Sequence, residues 1–265
     1  MVVVLEQHSA HKYQHLIDEM FRLRARIFRD RLNWDVEVTD GKERDRYDDE
    51  QPVYIIHSDD AARVVKGSLR LLPTTGPTLL ADIFSDTVPD AVNLSAPSIW
   101  ECTRFCLDDN LLELGREDKM LFASAALLEA VGDVALRAGI EAIIGNFDEP
   151  MLRLYRRIGC EVEVLGSTLR YDRPVYLGIH PISEPIVRRI KARLNRARLA
   201  FVAAEWPLSQ PFCTLLEFDA RFGKVRAKPI SSASVTAAFC PTKTARFHTP
   251  PIGGASIVPD AWYAS

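Results

Sequence analysis

The spacing of apolar residues changes between two periods along the chain and so separates predicted helices from predicted strands. Apolar residues recur every three or four positions from His11 to Phe28, from Asp118 to Arg137 and from Glu184 to about Ala204, which is typical of amphipathic helices. The segments Val53 to His57 and Arg63 to Leu72 favour strands and flank a short polar turn, which predicts a β-hairpin.

The rest of the pattern continues this alternation of strands and helices. The further predicted elements are an opening strand, a strand around Trp100, a strand followed by a short helix, and two final strands: Met1 to Leu5, Ile99 to Leu107, Ile140 to Phe147, Glu149 to Ile158, Glu161 to Leu165 and Leu169 to Leu177. Pro150 and Gly159 are typical of the start and the end of that short helix. The order of elements predicts an α/β sandwich around one mixed, mostly antiparallel sheet.

Two segments have no regular period. Residues 33–52 are densely polar but contain Trp34 and Tyr47 as apolar anchors, so we interpret them as a long, ordered flap. Residues 206–265 are rich in Pro, Ser and Ala and are predicted to be a tail that is partly disordered or loosely docked. The sequence therefore predicts one domain over residues 1–205, followed by this tail.

Composition and charge exclude several classes of protein. No apolar stretch approaches the length of about 18 residues needed to span a membrane, and the short apolar start does not resemble a signal peptide, so we expect a cytoplasmic protein without membrane contact. The five cysteines form no C-x-x-C pair and suggest neither a metal site nor a disulfide framework. Residues 1–183 hold 21 Lys and Arg against 31 Asp and Glu, a net −10 that argues against a nucleic-acid partner.

The strand around Trp100 is unusual because it carries an acid and a base three residues apart. In a regular strand Glu101 and Thr103 share one face and Arg104 points to the other. One interpretation is an edge strand with both charges in water. The other is a β-bulge near Thr103 that directs Glu101 and Arg104 into one cleft, since bulges occur next to active sites.

Matched charges with aromatic neighbours form the candidate site. The acidic and basic members are Arg24, Asp45, Asp48, Arg70, Glu101 and Arg104, and the aromatic members are Phe28, Trp34 and Phe105. Arg70 lies within a predicted strand and would need Asp45 or Asp48 as a partner if it pointed inward. Such a set suits a ligand with both an amine and a carboxylate, because Arg binds carboxylates in bidentate fashion and aromatic faces attract a sulfonium or an adenine.

The spacing of these residues resembles that of a known family. Arg24-x3-Phe28-x5-Trp34, Asp45-x2-Asp48, Arg70 and Glu101-x2-Arg104 are similar in order and separation to the acyl-homoserine-lactone synthases, the LuxI-type autoinducer synthases. The similarity extends from about residue 5 to about residue 200. It implies a three-layer fold like that of the GCN5-related N-acetyltransferases, whose sheet is splayed next to a bulged central strand.

The resemblance also implies an activity. Such enzymes transfer an acyl group from acyl carrier protein to the amine of S-adenosylmethionine, close the lactone and release methylthioadenosine, and this makes a quorum-sensing signal. It implies no cofactor, since S-adenosylmethionine is a substrate, and we expect a monomer. The alternatives are an acyl-CoA-dependent member of the family and an N-acyltransferase that acts on another amine.

The resemblance assigns roles to the candidate residues. Glu101, Arg104 and Asp45 would be catalytic, while the S-adenosylmethionine pocket and its electrostatic cluster would comprise Arg24, Phe28, Trp34, Asp48, Arg70, Thr103 and Phe105. An alternative for the cluster is a buried ion network that mainly positions the flap. Because acyl carrier proteins are acidic, the basic face of the short helix, Arg153, Arg156 and Arg157, is the predicted docking site.

The acyl chain is expected between the strands at 99–107 and 140–147, against the helix from Asp118 to Arg137. A buried 3-oxo group there would need a hydrogen-bond donor. Thr103 is the only nearby hydroxyl that the sequence indicates, so we expect an acyl or aryl group without a 3-oxo substituent.

Overall fold

The computed structural model describes residues 1–6, 11–59, 61–89, 92–108, 117–170, 173–202 and 213–214. The predicted tail lies outside the described residues except for its residues 213–214. None of the described helices combines the length and the apolar composition needed to cross a membrane.

The described strands form one large sheet and one small hairpin. Their bounds are β1 Val2–Leu5, β2 Val38–Thr39, β3 Lys42–Glu43, β4 Val53–Ser58, β5 Val65–Pro73, β6 Ile99–Leu107, β7 Ala142–Phe147, β8 Glu163–Arg170, β9 Arg173–Pro181 and β10 Cys213–Thr214. The large sheet has the order β10-β1-β4-β5-β6-β7-β9-β8, and β2 pairs only with β3. Neighbours in the large sheet are antiparallel except for β10 with β1 and β6 with β7. The predicted mixed, mostly antiparallel sheet is therefore confirmed.

Helices cover both faces of this sheet. Their bounds are α1 Gln14–Arg24, α2 Leu79–Asp82, α3 Glu117–Ala138, α4 Glu149–Ile158 and α5 Glu184–Val202. A π-helical segment, Ala25–Arg31, continues α1, and short 3₁₀ turns cover His11–Tyr13, Arg46–Asp49 and Ser85–Thr87. Successive residues of a strand face opposite sides, so α1 and the flap lie on the side of Thr103, while α3, α4 and α5 lie on the side of Cys102. The result is a three-layer sandwich.

The central strands β6 and β7 separate part-way along their length. They pair only from Ile99 opposite Ala142 to Glu101 opposite Ile144. Gly145 follows on β7, and a Cβ atom there would lie 3.0 Å from the carbonyl oxygen of Cys102, so the glycine allows the two backbones to approach just where they part. The splayed sheet that the family resemblance implies is present.

Strand β6 contains the predicted bulge. Ser68 pairs with Cys106 and Arg70 pairs with Thr103, so Leu69 alone faces two residues of β6, Arg104 and Phe105. Arg104 has φ of +54°, in the left-handed region that the first residue of a G1-type bulge occupies. The bulge interpretation of the Trp100 strand is therefore confirmed, and the edge-strand alternative is wrong, because β6 lies between β5 and β7.

The predicted bounds of the last two strands are wrong. The predicted strands end at Leu165 and begin again at Leu169, but Gly166 lies inside β8 at a shift in its register with β9. A Cβ atom at Gly166 would overlap the carbonyl oxygen of Thr87. This glycine therefore permits close approach of the 85–89 segment rather than a reversal of the chain.

Candidate active site

The end of α1 brings the first group of site residues together. Arg24 is the last residue of α1 and is buried. The π-helical segment that follows places Phe28 in the core, and the backbone N–H of Trp34 donates to the carbonyl oxygen of Phe28 at 2.8 Å. The rings of Phe28 and Trp34 stack with their centroids 5.1 Å apart. Short π-helical segments within helices are frequent at functional sites, and this one positions the two stacked aromatic rings.

The flap is ordered by its own polar residues. Its hairpin β2–β3 reverses at Asp40 and Gly41, both with positive φ, and ends at the buried Glu43. The carboxylate of Asp45 then accepts from the backbone N–H of Tyr47 at 3.0 Å, and that of Asp48 accepts from the backbone N–H of Asp45 at 2.9 Å. This reciprocal capping box orients both carboxylates, so the expectation of an ordered flap is confirmed.

A charged cluster of three arginines and three acids lies between the flap and the sheet. We use this name for Arg24, Glu43, Asp45, Asp48, Arg70 and Arg104. Asp48 is its centre: Arg24 donates to its two carboxylate oxygens at 2.9 and 3.0 Å, and Arg70 lies 2.8 Å away. The Tyr54 hydroxyl also donates to Asp48, at 2.8 Å. These arginines hold the pKa of Asp48 well below its ordinary value despite its burial.

The outer edge of the charged cluster is partly accessible. Arg104 lies 2.8 Å from Asp45 and 3.0 Å from Glu43, and its guanidinium sits 5.4 Å from the centre of the Phe28 ring. The side chains of Asp45 and Arg104 are 17% and 8% exposed, whereas those of Arg24 and Arg70 are at most 1% exposed. Asp45 and Arg104 are therefore the more accessible members of the cluster, and the inner pairs hold them in place.

Glu101 lies on the same face of the sheet as this cluster and has a different environment. Its two carboxylate oxygens accept from the backbone N–H groups of Leu79, at 3.0 Å, and Leu80, at 2.6 Å, at the start of α2. Burial raises the pKa of Glu101 to about 7 even though both N–H groups favour the charged form. Beside it, Thr103 accepts from Nε of Arg70 at 3.0 Å. Near neutral pH this carboxyl can both accept and release a proton.

The structure brings most of the predicted residues into one place and moves Phe105 away. The bulge shifts the alternation of β6, so that Cys106 contacts Ser68 on the cluster side and Phe105 is buried in the apolar core. By the same alternation Phe105 faces away from the cluster side, so the geometry of β6 does not support its predicted role in the pocket. The expected partners of Arg70 are confirmed, since it contacts both Asp45 and Asp48.

Two members of the site were missed by the sequence analysis. Glu43 joins Arg24 to Arg104 but stands in an aperiodic polar run, where nothing distinguishes buried from exposed acids. Tyr54 could have been found, because it lies directly opposite Arg70 in the predicted hairpin and so shares its face. Among the described residues, no group of three or more His, Cys, Asp and Glu side chains is arranged to hold a metal ion.

A cavity lies on the face of the sheet opposite the charged cluster, beside the splayed strands β6 and β7. Its volume is about 40 Å³, and its walls come from β6, β7, β9, α3, α4 and α5, including Cys102, Leu128, Val131, Ile143, Gly145 and Tyr155. Its position between β6 and β7, against α3, is where the acyl chain was expected. Most of its lining side chains are apolar, as a hydrocarbon chain requires.

The three arginines predicted to dock the acyl donor neither line the cavity nor belong to the charged cluster. Arg153, Arg156 and Arg157 are exposed along α4, and Arg153 is 3.6 Å from Glu149 one turn earlier. Arg193 of α5 donates to the backbone carbonyl oxygens of Arg156 and Arg157, which ties the end of α4 to α5.

Comparison with known proteins decides the family. The model of the autoinducer synthase family matches residues 8–190. The chain belongs to this family. A curated relative of this autoinducer synthase, an acyl-homoserine-lactone synthase from Rhizobium etli, is 38% identical over 74% of this chain and 91% of its own length. Another acyl-homoserine-lactone synthase, from Pseudomonas aeruginosa, is 30% identical over 62% of this chain and 82% of its own length.

Solved structures agree. A CoA-dependent acyl-homoserine lactone synthase, BjaI, solved with MTA, matches this autoinducer synthase with a TM-score of 0.66 and 26% identity, over 74% of this chain and 89% of that one. The acyl-homoserine-lactone synthase LasI matches with a TM-score of 0.58 and 27% identity, over 68% of this chain and 89% of the LasI chain. The predicted family, the acyltransferase fold and the acyl-homoserine-lactone synthase function are therefore confirmed.

Proposed function

We propose that this autoinducer synthase acylates the amine of S-adenosylmethionine and then closes the lactone, with the charged cluster and Glu101 as its machinery. The observation that carries the proposal is the charge distribution of the site. A neutral set of three acids and three arginines exposes one acid and one arginine, Asp45 and Arg104, beside the stacked rings of Phe28 and Trp34. A zwitterion that also carries a sulfonium meets a complementary group at each of these positions.

In the first step the amine attacks the thioester carbonyl carbon. A C–N bond forms, the C–S bond breaks, and the donor leaves as a thiol. The attacking amine must be unprotonated, and Glu101, with a pKa raised to about 7 by burial, is the group suited to take that proton directly or through water. The separation of β6 from β7 after Glu101 and Ile144 gives the thioester a place to enter.

In the second step the carboxylate oxygen of the same substrate attacks its own γ-carbon. A C–O bond forms, the bond from that carbon to the sulfonium sulfur breaks, and methylthioadenosine leaves as a neutral thioether. Since sulfonium is already a good leaving group, this step needs orientation more than proton transfer. Arg104 suits this role because its guanidinium is held by Glu43 and Asp45 at the accessible edge of the cluster.

For the acyl donor we propose an acyl carrier protein that docks on the exposed arginines of α4. These side chains offer a positive surface to an acidic partner. Acyl-CoA is the alternative, because the similar synthase BjaI is described as CoA-dependent. We further propose that the enzyme acts in the cytoplasm as a monomer and needs no cofactor besides its two substrates.

The test is lactone synthesis by the purified protein. S-adenosylmethionine is mixed with one acyl group carried either by acyl carrier protein or by CoA, and lactone, methylthioadenosine and free thiol are measured. We expect all three products in equal amounts, and little lactone from Arg104→Ala or Glu101→Ala. The exposed Arg29, paired with Asp30, provides a control in Arg29→Ala. Normal turnover by a folded Arg104 or Glu101 variant would contradict the assignment, and acyl transfer without methylthioadenosine would indicate an N-acyltransferase of another kind.

A further inference from the structure

The acyl cavity carries polar groups that a plain hydrocarbon chain does not use. Besides its apolar walls it is lined by Tyr155 of α4 and His180 of β9. These two rings contact each other edge to face with centroids 4.6 Å apart, and Phe147 contacts both of them, with its centroid 5.2 Å from that of Tyr155 and 6.0 Å from that of His180. The two polar rings are thus held at fixed positions in the cavity wall.

The hydrogen-bonding state of His180 follows from the hydrogen bond that its ring makes to the backbone. Its Nδ1 lies 3.1 Å from the backbone carbonyl oxygen of Glu161. A carbonyl oxygen only accepts, so Nδ1 carries the hydrogen, and in the neutral ring Nε2 is then an acceptor. Desolvation lowers the pKa of His180 to about 4, so the ring is neutral at neutral pH.

Tyr155 supplies the complementary donor. Its side chain is buried, and no hydrogen bond to its hydroxyl occurs within the part of the chain that the structure describes. Burial near Cys102 and Cys160 raises the pKa of this hydroxyl well above its ordinary value, so it stays protonated. The cavity wall therefore offers one O–H donor and one nitrogen acceptor. A ligand that pairs with both of these groups is therefore favoured over one that pairs with neither.

We infer that this cavity selects an acyl chain that bears a hydroxyl group near the thioester, with Tyr155 donating to the hydroxyl oxygen and His180 accepting its hydrogen. Cys102 and Gly145 line the same cavity at the point where β6 and β7 part, which places the pair close to the thioester end. A keto oxygen can only accept and would leave the His180 acceptor unpaired, and an unsubstituted chain would leave both groups unpaired. The inference rests on the proposed function and names its acyl substrate class.

The test compares three acyl donors of equal length: unsubstituted, 3-hydroxy and 3-oxo. We expect kcat/KM to be highest for the 3-hydroxy donor, by about tenfold over the unsubstituted one. Tyr155→Phe should lower the ratio of 3-hydroxy to unsubstituted kcat/KM by about tenfold. The matched control is Tyr176→Phe, which removes a hydroxyl from a ring that packs on Phe147 but does not line the cavity.

The outcomes separate this inference from the proposed function. Lactone from all three donors, with equal kcat/KM or with a ratio that Tyr155→Phe leaves unchanged, would overturn the inference alone. A preference for the 3-oxo donor would do the same. Lactone from none of the donors would overturn the proposed function and, with it, the inference. Tyr155→Phe keeps the ring contacts, so we expect the variant to fold. A circular-dichroism melting curve that matches that of the wild type checks this.

Discussion

Replacement of Asp48 by Asn tests how much the charged cluster contributes to stability. The wild-type carboxylate binds Arg24 through two hydrogen bonds, contacts Arg70, and accepts from Tyr54 and from the backbone of Asp45. The asparagine amide has the size of the carboxylate but no negative charge. The buried guanidiniums of Arg24 and Arg70 therefore lose the carboxylate that they both contact. Breaking a buried ion pair in this way costs about 3–5 kcal/mol, a large part of the usual stability of about 5–15 kcal/mol.

The assay is urea denaturation of Asp48→Asn beside wild type. With a slope of about 2–3 kcal/mol per molar urea, the midpoint should fall by about 1–2.5 M. The control is Asp49→Asn, since that neighbouring side chain is 64% exposed and forms an ion pair with the exposed Arg44. A surface pair of this kind contributes about 0–1 kcal/mol.

The pH dependence checks the same reasoning. The arginines lower the folded-state pKa of Asp48 below its ordinary value of 3.8, so its contribution is complete above that value and is lost as the pH falls below it. The gap between wild type and Asp48→Asn should therefore stay constant between about pH 7 and 5 and narrow only below about pH 4. A loss below about 1 kcal/mol at neutral pH, or the same loss for Asp49→Asn, would refute the view that this network holds the flap.

Three other changes address proton transfer, donor docking and the splayed strands. Because burial raises the pKa of Glu101 to about 7, kcat/KM should rise with pH up to about that value and then level off. Glu101→Gln should abolish both this pH dependence and most of the turnover. A flat pH profile of the wild-type enzyme would contradict the role of Glu101 as base. Reversing Arg153 and Arg157 to Glu should raise KM for the acyl carrier protein, as should salt for wild type, and an unchanged KM would move the docking site to the basic residues 188–198. Gly145→Ala should lower turnover with every donor, since its Cβ would lie 3.0 Å from the Cys102 carbonyl oxygen; wild-type kcat with an unchanged melting temperature would show that the strands accommodate it.

Much of the fold was predictable because its elements have clear periods and clear ends. The short helix Glu149–Ile158 is the best case, since Asp148 caps it, Pro150 occupies its first turn and Gly159 ends it in the left-handed region. Gly166 shows where this reasoning fails. A glycine that admits a neighbouring segment and a glycine that makes a turn are identical in sequence, and only the contact with Thr87 distinguishes them.

The site was predictable in its members but less so in their arrangement. Arg70 was expected to need an acid, because a charge inside a strand does, and it has two. The hydrogen bonds between Glu101 and the start of α2 could not be predicted from the sequence, because α2 is only four residues long and is not adjacent to Glu101 in the chain. Tyr155 was likewise missed as a cavity hydroxyl, since its helix was assigned only to donor docking.

The extra residue of β6 has a consequence for how this chain can change in length. Odd-numbered residues face the charged cluster before the bulge, as Thr103 does, and even-numbered ones after it, as Cys106 does. Deleting one residue between these two would restore regular pairing with β5 and would leave Thr103 and Cys106 on the cluster side, but the single residue left between them would face away from the cluster. Arg104 would then lose its contacts with Glu43 and Asp45. Insertions and deletions at this point are therefore far more restricted than substitutions, so the length of this short stretch is itself part of the site.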